Sequence, residues 1–227
     1  MKKLITIIIS VIFFVGCGVS AEPEPDENLI DFSVKQRIHP DMPEFTFRLQ
    51  GVKGSFEETE IKSLTIYNKS GEVLQTFAGL ETSTPATKDG LYAPYGFSFC
   101  DWNFDGYLDI SLWIAQGGTL MNSPHYFWLW NTQAGKFIMN EQLYELSWNS
   151  SLSANPENNQ IESFTRVGSW ANGTTYYEYR SGDFVPTGRI EKEAVDLVDD
   201  KFITRIIISE FINNEWVIIE EYFETEE

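Results

Sequence analysis

Apolar and polar residues alternate along most of this chain, and the alternation repeats in paired runs. FTFRL (45–49) has Phe45, Phe47 and Leu49 on one face, the two-residue period of a half-buried strand. IKSLTIYN (61–68), a KSG turn and EVLQTFA (72–78) predict a hairpin with Gly71 in its bend. GFSF (96–99) and YLDISLWIA (107–115) read as strands around an acidic loop. HYFWLW (125–130), NTQAG and KFIM (136–139) predict another hairpin, and EQLYELS (141–147) at most a short helical turn. IESFTRVGSW, ANG, TTYYEYR, SGD and FVPTGRI predict a three-stranded meander with one turn at Asn172-Gly173, a pair that tolerates positive φ. KFITRIIISEFI (201–212), NNE and WVIIEEYF (216–223) predict the last hairpin. SGEV, AGKF and SGDF each join two strand-like runs, but Gly71, Gly135 and Gly182 are unevenly spaced, so hairpin chemistry recurs without a true repeat. The pattern predicts one all-β domain of antiparallel meanders spanning 30–227.

The amino-terminal stretch follows different rules. MKKLITIIISVIFFVGCG carries Lys2 and Lys3, an apolar run from Leu4 to Val15 and then Gly16-Cys17. A basic start, a short apolar run and a small-residue cleavage site make a secretory leader. A dozen apolar residues fall short of the roughly 20 a membrane-spanning helix needs. FVGC resembles a bacterial lipobox, with Phe14 where leucine is usual; residues 1–16 are then the leader and Cys17 the lipid anchor. The alternative is an ordinary leader cut near Ser20-Ala21. Gly18 after the cysteine resembles the sorting pattern for the outer membrane of a Gram-negative cell, facing the periplasm. Residues 17–29, with AEPEPDENL, are rich in proline and acid and predict an extended tether. Such a chain touches the membrane through its lipid alone.

Composition narrows the function. Aromatics make up 15% of the chain, which favours strands. The formal charge is −18, and losing Lys2 and Lys3 with the leader makes it −20. Nucleic-acid binding is excluded by the lack of Lys and Arg clusters; acidity points instead to cations or a basic protein. With Cys17 lipidated, Cys100 has no partner in the chain, so this exported domain lacks a disulfide. Cys100 is expected to be a buried, inert thiol.

DWNFDGYLD (101–109) carries the clearest chemistry. Asp101, Asn103 and Asp105 stand at alternate positions, Gly106 permits a sharp turn, Tyr107 offers its backbone carbonyl, and Asp109 completes the set. Oxygen donors with three carboxylates suit calcium over zinc, and over the smaller magnesium. The twelfth position, where an EF-hand places a bidentate glutamate, holds Leu112, and both flanks are strand-like. The loop therefore resembles the calcium loops of FG-GAP β-propeller blades. The metal-free alternative is an acidic turn with an Asp-Gly corner.

The wider stretch from Tyr95 to Phe137, FCDWNFDGYLDISLW, QGGTLMNSP and HYFWLWNTQAGKF, resembles a family of bacterial periplasmic lipoproteins. These are inhibitors or immunity proteins against lysozyme-like peptidoglycan hydrolases delivered by type IV secretion systems. The likeness extends more loosely through NEQL and the meander after it, covering about half the mature chain. It implies a compact β-propeller-like fold, calcium on Asp101, Asn103, Asp105 and Asp109, and a hydrolase as partner. Ser181-Gly182-Asp183-Phe184 lacks the tyrosine of an SGxxY-like inhibitor motif and reads as a turn. The segment from Gln116 to His125 is the better candidate contact: Leu120, Met121 and Tyr126 for apolar contact, His125 for a polar one. Met121 and Tyr126 are equally readable as core.

Catalysis is not expected. His39 and His125 are the two histidines, and neither lies in an HExxH or triad-like context; GxSxG, CxxC and a phosphate-cradling loop are absent. Nothing in the sequence places two carboxylates across a cleft, as glycoside hydrolysis requires. The alternative function is a calcium-binding adhesion or carbohydrate-binding module of the cell envelope. Seven tryptophans supply stacking surfaces for it, although Trp113, Trp128 and Trp130 lie in strands and read as core. A scaffolding lipoprotein is a third reading.

Overall fold

The computed structural model describes residues 28–54, 58–89, 93–116, 123–199 and 201–225. The leader, Cys17 and all but the end of the tether lie outside them.

Three antiparallel meanders follow one another. The first is β1 (Leu29–Arg37), β2 (Glu44–Lys53), β3 (Thr59–Tyr67) and β4 (Val73–Ala78), in that spatial order. The second is β5 (Phe97–Cys100), β6 (Asp109–Trp113), β7 (His125–Asn131) and β8 (Lys136–Met139). Helix α1 (Glu141–Asn149) leads into the third: β9 (Ser151–Asn155), β10 (Gln160–Val167), β11 (Ala171–Arg180), β12 (Asp183–Val198), β13 (Lys201–Ile212) and β14 (Glu215–Thr225). Each strand pairs with its sequence neighbour within its own meander. Among the described residues no closed barrel or propeller ring forms.

The second sheet is covered on both faces: every residue of β6, Asp109 and Ser111 included, and Phe127–Trp130 of β7 are buried. Its Ile110, Leu112, Trp128 and Trp130 join Phe45, Phe47, Leu49, Leu64 and Ile66 of the first sheet in one core. Phe47 is completely buried, with the rings of Phe97, Phe99 and Phe137 at 5.8, 4.9 and 5.9 Å. On the other face Phe127 and Leu129 pack with Trp102, Leu143 of α1, Ile161 of β10 and Phe184 of β12. The tryptophans read as core are core: Trp113, Trp128 and Trp130 are all buried.

Four details depart from the sequence reading. Strands β1 and β9 were not expected; LIDFSVKQR alternates as a strand should, and it pairs with β2 along its whole length. Helix α1 is nine residues rather than a turn, because Asn140 caps it by accepting from the Leu143 N–H at 2.9 Å and because Leu143 is buried. Strand β6 starts at Asp109, since Leu108 donates to the Ile38 carbonyl at 2.8 Å and belongs to the loop. The turn at Asn172-Gly173 is not there: both residues are extended in β11, opposite Lys192 and Glu191, and the chain reverses at 168–170. Pairing on both sides of β11 overrides the local turn preference of Asn-Gly.

Candidate calcium loop and the strand beyond it

Cys100 and Asp109 face each other as the last rung of the β5–β6 hairpin, and the loop closes above them. Short polar side chains fold that loop onto its own backbone. Asp101 accepts from the N–H groups of Asp105 and Gly106 at 3.1 and 2.9 Å. Asp105 accepts from the Tyr107 N–H at 2.9 Å and from the Asn103 side-chain amide at 3.1 Å. Gly106 has φ +90°, a conformation side chains resist, which is why glycine stands at the sharp bend.

Asp109 is the anchor. It is 0% exposed, and its two carboxylate oxygens accept from the N–H groups of Trp102 and Trp130 at 2.9 and 2.8 Å. The loop is thereby tied to β7 as well as β6. Two further contacts hold it: Tyr107 stacks on His39 at 4.3 Å, and Trp102 meets Phe127 edge-on at 4.9 Å. The indole N–H of Trp102 is buried without a hydrogen-bond partner. His39 and Trp102 were not singled out from the sequence; neither contact has a signature in residue spacing.

Burial pushes the Asp109 carboxyl up to about 8, with the charges of Asp105 and Asp101 adding to the effect. Burial likewise raises Asp101. Burial, with the charges of Asp101 and then Asp109 adding to it, pushes the Cys100 thiol up to about 11, so it is a poor nucleophile. None of the ion pairs among the described residues reaches Asp101, Asp105 or Asp109.

Does this site fit calcium? The donor chemistry does: three carboxylates, the Asn103 side-chain oxygen and the Tyr107 carbonyl are hard oxygens, and no cationic side chain neutralises them. The carboxylates as placed, however, are turned to backbone N–H groups. Among the described residues no three His, Cys, Asp or Glu side chains are grouped to hold a metal.

The contact candidates are placed in part. Leu120 and Met121 lie outside the described residues. His125 and Tyr126 are half-buried in β7, not on a protruding loop. His125 hydrogen-bonds through Nδ1 with the Ser123 carbonyl and packs between Trp113 and Phe127; burial lowers its pKa. Tyr126 stacks on Trp128 and Tyr144 at 5.5 and 5.9 Å, and its hydroxyl accepts from the Glu81 N–H. A cleft of about 480 Å³ opens between α1 and β10–β11, with Glu145 as the one carboxylate in its lining. Among the described residues no helix is long and apolar enough to cross a membrane.

Comparison with known proteins adds one finding. No family model matches the chain, and no curated protein matches it. Among solved structures, one described as a Xanthomonas type IV secretion system related protein superimposes with a TM-score of 0.58. The match covers 83% of this chain and 93% of that one at 12% identity, and therefore shows a shared fold alone.

Proposed function

We propose that this protein is an envelope lipoprotein that binds and inhibits a lysozyme-like peptidoglycan hydrolase, and that a structural calcium ion rigidifies its 101–109 loop. The observation that carries the reading is the fold likeness, over 83% of the chain, to a type IV secretion system related protein. That likeness agrees with the family resemblance of the Tyr95–Phe137 stretch. The four-stranded meanders β1–β4 and β5–β8 are units of the kind that build propeller blades, which supports the same relationship. The acidity of the mature chain suits a basic partner, because complementary charge speeds encounter. The lipid on Cys17 keeps the domain in the periplasm at the outer membrane.

In this reading the protein is not an enzyme. Its site works by shape: calcium on Asp101, Asn103, Asp105, Asp109 and the Tyr107 carbonyl offsets the repulsion of crowded carboxylates. The loop then holds β5 to β6 and, through Asp109, to β7. His125 and Tyr126 stand at the start of β7, so a stiff β6–β7 frame fixes the positions of these two side chains.

The test mixes the purified protein with a panel of peptidoglycan hydrolases and follows turbidity clearing of cell-wall suspensions, with calcium and with chelator. Protection against at least one hydrolase is expected, stronger with calcium. Clearing of every suspension at the uninhibited rate overturns the reading. Trp148 and Trp170, 47% and 59% exposed, favour the carbohydrate-binding alternative as stacking surfaces. Polysaccharide pull-down that both tryptophan-to-alanine variants abolish would establish that alternative.

A further inference from the structure

The third sheet ends in an edge strand whose two faces differ in chemistry. Strand β14 is eleven residues long, pairs with β13 on one side, and stands at the end of the strand order. About half of its backbone N–H and C=O groups therefore point outward without a strand to meet them. Natural edges are blunted by charged side chains, lysine above all, by proline, by bulges or by a covering element, and β14 has its glutamates for this. EWVIIEEYFET contains neither proline nor lysine, and its remaining irregularity is a bulge between Ile208 and Ser209 of the β13 pairing that leaves Ile219 unpaired.

The register sorts the side chains, because residues directly opposite each other share a face. Ile212–Glu215, Glu210–Val217, Ile208–Glu220, Ile206–Tyr222 and Thr204–Glu224 define one face. It carries Glu215, Glu220 and Glu224 on the edge strand and Glu210 behind them, and none of the four takes part in an ion pair among the described residues. Phe211–Trp216, Ser209–Ile218, Ile207–Glu221 and Arg205–Phe223 define the other. There Glu221 is neutralised by Arg205 at 2.8 Å, while Ile218 and Phe223 are 54% and 61% exposed. One face of the edge thus alternates unpaired glutamates with Val217 and Tyr222, while the other exposes Ile218 and Phe223 beside Trp216, whose ring is covered by the Arg189 guanidinium at 4.6 Å.

We infer that β14 is a docking edge for an extended, cationic, amphipathic segment of another protein, which adds to the sheet as a further strand. Backbone hydrogen bonds to β14 supply affinity, and alternate side chains supply specificity. Lys or Arg along one face of the added strand meets Glu215, Glu220 and Glu224, with aliphatic stems over the Val217 and Tyr222 between them, and the apolar residues of its other face lie along Ile218 and Phe223. A second copy of this chain brings its own glutamates to the same stripe. The chain's AEPEPDENL segment brings acid and prolines without N–H groups. Charge and hydrogen bonding therefore select the cationic strand over both. The inference stands on β13 and β14 and does not depend on the inhibitory reading.

The probe is a synthetic peptide alternating lysine with valine. Its two controls carry glutamate for lysine, or N-methylated valines that remove the ladder-forming N–H groups. Binding is followed by calorimetry, backbone hydrogen exchange and sedimentation. The lysine peptide is expected to bind at least roughly tenfold tighter than either control and to slow exchange in β14 above all. Replacing the stripe (Glu215→Gln, Glu220→Gln, Glu224→Gln) is expected to lower its affinity by roughly tenfold or more. Any of four results overturns the inference: equal binding of the N-methylated peptide, equal binding of the glutamate peptide, protection that lies away from β14, or a self-associated chain whose β14 is already protected without peptide. The peptide comparisons use the unaltered protein, so they hold whether or not the triple variant folds.

Discussion

Replacing Asp109 by asparagine separates the hydrogen-bonding role the structure gives this carboxylate from the ligand role proposed for it. As a buried acceptor it holds the N–H groups of Trp102 and Trp130 at 2.9 and 2.8 Å. A carboxamide keeps one acceptor oxygen and turns an NH₂ toward the other N–H, so one hydrogen bond becomes a donor–donor contact. Leaving a buried donor unsatisfied costs about 1–3 kcal/mol. As the proposed calcium ligand, Asp109 would contribute to binding that stabilises the folded state by RT ln(1 + [L]/Kd), about 2.7 kcal/mol at a hundredfold excess over Kd. For a domain of about 150–250 residues each kcal/mol moves Tm by about 2–4 °C, so calcium raises the wild-type Tm by about 5–11 °C. The assay is thermal unfolding of both proteins in millimolar calcium and in chelator. In chelator Asp109→Asn is expected to melt below wild type by roughly 2–12 °C, the hydrogen-bond part alone. In calcium the gap widens, by up to the full calcium increment, because the variant loses a charged ligand and binds the ion more weakly. A wild-type Tm that is the same in calcium and chelator refutes the calcium reasoning. A variant that keeps the whole calcium increment refutes the role of Asp109 as a ligand.

Two further outcomes are expected. Burial lowers the pKa of His125, so the folded state binds fewer protons than the unfolded chain, whose histidine titrates near about 6.5. His125 therefore contributes stability that is present above about pH 6.5 and is lost as pH falls towards its depressed folded value, with a slope of at most about 1.4 kcal/mol per pH unit. Urea unfolding between mildly acidic and neutral pH should show that slope in wild type and lose it in His125→Gln; parallel profiles would contradict the burial argument. Gly106 and Gly96 both have positive φ, +90° and +68°, but a Cβ at Gly106 meets open space while one at Gly96 lies 2.6 Å from Trp113 Cβ. Gly106→Ala is expected to cost about 1–2 kcal/mol from backbone strain. Gly96→Ala adds a further 1–3 kcal/mol or so from overpacking, and equal losses in denaturant melts would show that the Trp113 contact relaxes freely.

The strands of this fold were legible wherever one face is buried and the other wet. KFIM and KFITRIIISEFI coincide with β8 and β13, and the turns at Gly71, Ser181-Gly182 and Asn213-Asn214 lie where their residues tolerate positive φ. Local rules failed where pairing on both sides decides. Asn172-Gly173 carries a strong turn signal, yet eight residue pairs with β10 and continuous pairing with β12 draw it into a strand. Strand β1 was hidden for the opposite reason. Only Ile30 of its nine residues is buried, so composition made its start look like the end of the acidic tether.

The candidate site divides along the same line. The hydrogen bonds within 101–107 join residues two to five positions apart, so the spacing DxNxDG already specifies the turn. Asp109 is legible as the ninth position of that loop and illegible as what holds Trp130, because that bond spans 21 residues and exists only once β6 and β7 are paired. His125 and Tyr126 follow the second pattern. Their surroundings are Trp113, Phe127, Trp128 and Tyr144, drawn from three elements, and sequence spacing left core and contact equally open. Asp109 thus ties a turn written in adjacent residues to a sheet written in distant ones. An ion held by the turn would therefore act on β7 through the Asp109 carboxylate as well as through the Trp102–Phe127 contact.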